Sequence, residues 1–518
     1  MAFATSASAA ENVKATVHAD QGGAKINKEI YGQFSEHLGS CIYGGLWVGE
    51  NSQIPNINGY RKDVFEALKA LQIPVLRWPG GCFADDYHWM DGIGPKEQRP
   101  SLRNNNWGGT IEDNSFGTHE FLNLCEMLGC EPYISGNVGS GTVKEMAQWV
   151  EYMTSDGDTP MARLRRQNGR DKAWKVKYFG IGNEAWGCGG NMSPEYYSDE
   201  FRKFNTYLRD QGGNRLYRIA SGASDYDYNW TKVCMDKIGG RMQGISLHYY
   251  TCTGWNGPKG SAINFDNDQY YWALGKCLEI EEVIKKHKAI MDEKDPKNSI
   301  GLLVDEWGTW WDEAGTIPGH LYQQNALRDA FVAALSLNVF HKYTDRVKMA
   351  NIAQVVNVLQ SMILTDQEGT GHMVLTPTYH VFQMYTPFQE ATYLPVDLQS
   401  ETIQCSKEYW KEKQKTSDNT TRPCPLLSAS AAKTKDGSIV LAITNVSLDK
   451  DQTVDFNFAG FNAKQVSGRI LTSKNVADYN DFNHPNVVAP KDYKDAKLKK
   501  GILTMKVPAK SIVVVTLK

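Results

Sequence analysis

The sequence lacks most of the features that would direct its function elsewhere. No window of roughly 20 apolar residues offers a transmembrane helix, so no membrane partner is expected. Neither sign of charge dominates: 56 Lys and Arg stand against 59 Asp and Glu, a net charge of −3. With no basic stripe, a nucleic acid partner is not expected. Gly44–Gly45 and Pro79–Gly80–Gly81 lack the lysine and serine of a phosphate loop, and no Gly-x-Gly-x-x-Gly follows a first strand. His119–Glu120 has no second histidine at zincin spacing, and no Gly-x-Ser-x-Gly elbow occurs. Ten cysteines in 518 residues are too sparse for a disulfide framework, and their pairing cannot be read from spacing. The Cys-x₂-Cys pairs of structural zinc sites are absent; Cys125 and Cys130 have four residues between them.

What is present begins with length. A chain of 518 residues accommodates a barrel of about 250 residues or more and a further domain. The opening MAFATSASAAENVKA contains small residues like the cleavage end of a secretion signal, without the basic and apolar regions of a complete one. It reads as a mature form with a scar, so a secreted or periplasmic location is expected, with a cytoplasmic one as the alternative.

Strand and helix signals alternate eight times between about residues 30 and 365, the α/β barrel pattern. The expected barrel strands are Ile30–Phe34, Val75–Trp78, Glu131–Ser135, Val176–Gly180, Leu216–Ala220, Gly244–His248, Ile300–Val304 and Val347–Ala350. Between them lie helical faces such as 117–128, 143–153 and 194–210. Leu321–His341 reads as a long helix, bent or divided, and Ala162–Lys172 as a basic connector whose charge is a solvated face. After about residue 370 helical periodicity gives way to short β-rich segments: 438–445, 455–458, 466–471, 501–507 and 511–517. The domains expected are therefore residues 30–370 as a (β/α)₈ barrel and 371–518 as a β-sandwich. Residues 1–29 contribute a strand to the sandwich.

Two carboxylates dominate the chemistry. KVKYFGIGNEAWGC, Lys175–Cys188, is an apolar run that presents Asn183 and Glu184; SIGLLVDEW, Ser299–Trp307, ends in Asp305 and Glu306. Carboxylates at the ends of two barrel strands share one mouth, and the chemistry that most often needs such a pair is glycosidic bond cleavage. Glu184 is assigned as general acid/base and Glu306 as nucleophile. Taken singly, either glutamate reads equally as a surface or salt-bridge residue. Glu36 and Arg77, at neighbouring strand ends, could bind hydroxyls or tune the carboxylates, or form a structural ion pair. His248 and Tyr250 follow strand six and could orient Glu306. Asn183, Trp310 and Gln354 are candidate sugar contacts, with an Asx turn and core packing as the plain readings of the first two.

The motifs GQFSEHLGSCIYGGLWVGE, LRWPGGCFADDYHWMDGIGP, WKVKYFGIGNEAWGCGGNM, SLHYY and LLVDEWGTW, in that order, closely resemble the α-L-arabinofuranosidases of glycoside hydrolase family 51. The resemblance runs from about Ile30 to NIAQVVNVLQSMI, and the β-rich tail agrees with the family's second domain. It implies a retaining barrel enzyme with Glu184 as acid/base and Glu306 as nucleophile. Glu36, Asn183, His248, Tyr250, Trp310 and Gln354 would surround the arabinofuranosyl ring, with Arg77 beside the nucleophile. Cys82 stands where many members carry asparagine, and a thiol is a poorer hydroxyl partner. The resemblance further implies arabinose-containing plant cell-wall polysaccharides or oligosaccharides as substrates, a homo-oligomer, and no catalytic metal or organic cofactor. An endo-β-1,4-glucanase or β-xylosidase could use the same two glutamates, and a non-catalytic sugar-binding protein would bind without turnover. The polar insertion around Cys252–Asn267 bears on the choice between a closed pocket and an open cleft.

Overall fold

A computed structural model of the protein describes residues 12–252, 255, 258–405 and 422–518. The small-residue N-terminal segment up to residue 11 lies outside these, as do residues 253, 254, 256 and 257 of the insertion after strand six.

Eight strands close into a barrel in chain order. They are Gly32–Phe34, Val75–Trp78, Glu131–Gly136, Tyr178–Ile181, Tyr217–Ser224, Gly244–Thr251, Gly301–Thr309 and Val347–Ala353. Each runs parallel to the next, and the eighth pairs with the first. At the lower end Val75, Tyr133, Tyr178, Ile219, Leu303 and Met349 pack together and fill the interior, which leaves the opposite end for a site.

Several elements differ from the sequence expectation. Strand one is shorter, because a 3₁₀ turn, Lys28–Tyr31, precedes Gly32. Strand seven does not stop before its acidic pair. It continues through Glu306 to Thr309, still paired with strand six as His248↔Glu306 through Thr251↔Thr309. The helix expected over 321–341 is one continuous helix, Leu327–Lys342. Part of the basic connector is the helix Pro160–Gln167, capped by the Thr159 hydroxyl accepting from the Ala162 amide at 3.3 Å. Its charge is not all solvated. Arg165 is fully buried and donates to the carbonyls of Tyr152 and Ser155 at 2.9 and 2.7 Å.

The second layer is a β-sandwich. One sheet has the order Val396–Leu398, Val13–His18, Gln452–Ala459, Ile502–Val507, Ala496–Lys499, so the N-terminal strand lies inside it. The other contains Leu427–Lys433, Ile439–Asn445 and Ser511–Leu517 as consecutive neighbours. Ile439–Asn445 is buried at every position, and Ser511–Leu517 at all but Thr516, because both faces are covered. Leu441, Ile443, Val513 and Val515 pack inside the sandwich, while Val440, Ala442, Ile512 and Val514 join the barrel core. Leu327–Lys342 runs through this junction with every residue from Leu327 to His341 buried, which explains its lack of a polar face. His341 is hydrogen-bonded to Tyr31 at 2.7 Å and to Ser430 at 2.9 Å, tying barrel to sandwich. The helix Pro377–Tyr385 packs on Lys62–Leu71 and Leu327–Lys342, so it belongs to the barrel's outer ring. The sandwich strands therefore begin at Thr392, later than the expected boundary at 371. The physical reason is that Pro377–Tyr385 buries its apolar face chiefly against the barrel helix Leu327–Lys342, with sandwich strands as further cover.

Candidate active site

Glu184 follows strand four on a loop that doubles back. Its own φ is +38°, in the left-handed region where side chains are strained, and such strain is frequent at functional sites. Gly189 is required by that turn: a Cβ there would stand 1.8 Å from the Asn183 carbonyl oxygen. Glu306 comes from strand seven, where the register shifts between Val304 and Trp307. Adjacent strand residues ordinarily face opposite sides, and a bulge re-aims them. Here both Asp305 and Glu306 meet Arg77, at 3.8 and 2.9 Å.

An oxygen of Glu184, an oxygen of Glu306 and a ring nitrogen of His248 all lie within 4.8 Å of one another. Glu306 accepts from Arg77 Nη1 at 2.9 Å and from the Tyr250 hydroxyl at 3.0 Å. His248 Nδ1 lies 2.8 Å from Glu184 Oε1 and 3.5 Å from Glu306 Oε2. The histidine is thus nearer Glu184 than Glu306, which it was expected to orient. Glu36 accepts from the Phe83 amide and Trp107 Nε1, both at 3.0 Å, and from Gln354 Nε2 at 2.9 Å. The Pro-Gly-Gly loop fits over it because side chains at Gly80 and Gly81 would meet the Glu36 carboxylate at 3.0 and 2.9 Å.

These groups face a cavity of about 490 Å³. Of the residues expected from sequence, Glu36, Cys82, Glu184, His248, Tyr250, Glu306, Trp310 and Gln354 line it. Arg77 and Asn183 stand behind that lining. Arg77 is buried, and its guanidinium is committed to Ser135, Asp305, Glu306 and Asn183, so its expected place among the substrate contacts is corrected to support of the carboxylates. Asn183 turns its side-chain oxygen to Arg77 at 2.7 Å.

Cys82 needs a further correction. It is not a free thiol but half of a disulfide with Cys188, 106 residues away in sequence. The two sulfurs lie 3.7 and 3.4 Å from Glu184 Oε2. Spacing alone could not pair them, because eight other cysteines compete, all of them buried.

Sequence reasoning missed several further groups. Asp305 is buried and accepts from the Tyr133 hydroxyl at 2.7 Å, with His248 Nε2 at 3.1 Å. Trp107, Trp186 and Asp225 line the cavity. Only Asp305 left a signal, an acid at the end of an apolar run; the others come from loops without a pattern.

Burial and the negative charge of Glu306 raise the Glu184 pKa, with His248 and Arg77 opposing. Burial, then Glu306, raises Glu36 to about 7. Burial works against an ionised Asp305, but Arg77, His248 and Tyr133 outweigh it and hold its pKa below the ordinary value. Burial likewise opposes the His248 cation, and Glu306, Asp305 and Glu184 overcome it, so its pKa is raised. The mouth therefore combines a carboxyl held above its ordinary range with fixed cations beside a second carboxylate, the division of labour that acid-assisted displacement needs.

Comparison with known proteins agrees with this geometry. Residues 67–260 match the family model described as Alpha-L-arabinofuranosidase 1 domain, and residues 305–511 match Alpha-L-arabinofuranosidase C-terminal domain. The chain is 65% identical over 519 residues to the intracellular exo-alpha-L-arabinofuranosidase of Bacteroides ovatus, covering 100% of this chain and 98% of that protein. This chain belongs to the α-L-arabinofuranosidases of glycoside hydrolase family 51. As an α-L-arabinofuranosidase it is a glycoside hydrolase, and its barrel and sandwich recur in solved relatives. The GH51 arabinofuranosidase from Xanthomonas axonopodis pv. citri superposes with a TM-score of 0.92 at 47% identity, covering 98% of this chain and 100% of that one. The α-L-arabinofuranosidase from Thermotoga maritima, in its arabinose complex, gives a TM-score of 0.83 at 29% identity, covering 97% and 99%.

Proposed function

We propose that this arabinofuranosidase is exo-acting and retaining, and that it removes terminal α-L-arabinofuranosyl groups by double displacement. The observation that carries the reading is the approach of the Glu184 and Glu306 carboxylates, with oxygens within 4.8 Å. Retaining enzymes hold the pair about 5–5.5 Å apart, whereas a water-activating pair needs about 6.5–9.5 Å. Glu306 attacks the anomeric carbon while Glu184 gives its proton to the leaving oxygen. Glu184 then takes a proton from the water that opens the furanosyl–enzyme.

The surroundings support these roles. Arg77 and Tyr250 orient the nucleophile. Glu36 and Gln354 offer acceptors to the ring hydroxyls, and Gln354 Oε1 is buried with no protein partner among the described residues. Trp107 and Trp310 wall the cavity, where apolar faces can stack on sugar C–H groups. A cavity of about 490 Å³ has room for a furanose unit, which supports the reading of cleavage at a chain end. The Bacteroides ovatus relative is named intracellular, which favours arabinan- or arabinoxylan-derived oligosaccharides over intact wall polymer as substrates here.

Proton NMR of the first turnovers tests the mechanism. Arabinose should appear first as the α anomer; β arabinose appearing first overturns double displacement. On branched arabino-oligosaccharides, the initial products should be free arabinose and the oligosaccharide shortened by that one unit. Release of internal fragments overturns the exo reading.

A further inference from the structure

The two bonded cysteines beside Glu184 differ from the other cysteines in place and exposure. Cys188 is exposed and Cys82, which lines the cavity, is half-buried, whereas the eight remaining cysteines are buried. Both sulfurs face the same carboxylate oxygen, Glu184 Oε2, at 3.4 and 3.7 Å. One donor atom from each of Cys82, Glu184 and Cys188 lies within 4.8 Å of the other two.

We propose that Cys82, Cys188 and Glu184 form a redox-gated site for a soft divalent cation such as zinc. It is closed while the two sulfurs are bonded and available once they are reduced. Zinc takes thiolate sulfur at about 2.3 Å and carboxylate oxygen at about 2.0–2.2 Å in a tetrahedron, so a sulfur–oxygen edge spans about 3.6 Å. The two sulfur–oxygen edges already have that length. Only the sulfur–sulfur edge must open, to about 3.8 Å, by side-chain rotation.

A dithiol or phosphine reductant supplies two electrons, breaks the sulfur–sulfur bond and is itself oxidised, leaving two thiols. Cation binding then releases the two thiol protons to solvent. Two thiolates and a carboxylate carry three negative charges against two positive on the ion, and the solvent-facing side of Cys188 leaves the fourth position open to water. Thiolate donors select zinc-like ions over magnesium or calcium.

The functional consequence rests on the reading of Glu184 as acid/base. A cation on its carboxylate takes the electron pair that would otherwise hold the proton for the leaving group. The enzyme would then be active when oxidised, active when reduced and metal-free, and silent when reduced in the presence of zinc.

The test compares oxidised protein with protein reduced by a phosphine and desalted without oxygen. Zinc chloride is titrated into each, and bound zinc and arabinofuranoside hydrolysis are measured together. Reduced protein should bind one additional zinc per chain, about 100-fold more tightly than oxidised protein, and lose activity in parallel. A chelator should restore the activity. Cobalt(II) in place of zinc should show thiolate-to-metal charge transfer only in the reduced protein. In reduced Cys188→Ser, compared with its own metal-free rate, zinc sensitivity should fall by about the same 100-fold. Equal inhibition of both redox states, or unchanged zinc sensitivity in Cys188→Ser, overturns the site and assigns inhibition to Glu184, His248 and Glu306 instead. Tight binding to reduced protein without loss of activity keeps the cation site and overturns the acid/base role of Glu184.

Discussion

Arg77 donates to Glu306 Oε1 at 2.9 Å, so a side chain from strand two holds a carboxylate from strand seven across the barrel mouth. The same guanidinium donates to Asn183 at 2.7 Å, beside Glu184. One buried cation therefore sets the relative position of both glutamates. Arg77→Lys keeps the charge but loses the fork that reaches both partners. We expect kcat/KM to fall about 100-fold or more, equivalent to about 3 kcal/mol, with a lower melting temperature. Steady-state kinetics and calorimetry check this; an unchanged rate would remove Arg77 from the positioning of the pair.

The two glutamates should separate by leaving group. Glu306→Ala is expected to be nearly inactive on every glycoside. Glu184→Ala should retain much more activity on a dinitrophenyl arabinofuranoside, which needs no proton, than on a natural linkage. Added azide should yield the α-arabinofuranosyl azide from Glu184→Ala and the β azide from Glu306→Ala. Product NMR reads the difference, and exchanged configurations would exchange the two roles.

On the proposed mechanism, His248 should control the alkaline side of the pH profile. Burial and Glu306 raise the Glu184 pKa, and His248 is the first of the groups opposing them. Replacing it with Asn removes that opposition, so Glu184 keeps its proton to higher pH. The alkaline limb of kcat/KM should therefore move upward in pH, while kcat itself falls. A limb that stays in place would show that another group sets it.

Glu36 links pH to stability. Burial, then the charge on Glu306, raises its pKa from 4.5 to about 7. The folded protein thus keeps a proton that the unfolded chain releases. This contribution to stability is complete below pH 4.5 and is lost as pH rises to about 7. The stability difference between wild type and Glu36→Gln should consequently shift against wild type by on the order of 3 kcal/mol between pH 4 and 8. Denaturant unfolding across that range measures the slope, which is independent of any fixed cost of the amide. A flat difference would mean that Glu36 titrates normally.

What the sequence determined by itself was the part carried by local pattern. Alternating apolar runs and helical faces set the order of the eight barrel strands, and acids at the ends of two runs marked Glu184 and Glu306. Long motifs in a fixed order marked the family. Tertiary structure decided what depends on atoms distant in the chain. Strand seven passes through its acidic pair because strand six and Arg77 supply the partners that charged strand residues need. Pro377–Tyr385 joined the barrel because its apolar face found cover there. Cys82 met Cys188 because two loops converge over Glu184. Periodicity reports which face a residue turns inward, but not which residue from another strand it meets there. The protonation of this site is set by those meetings.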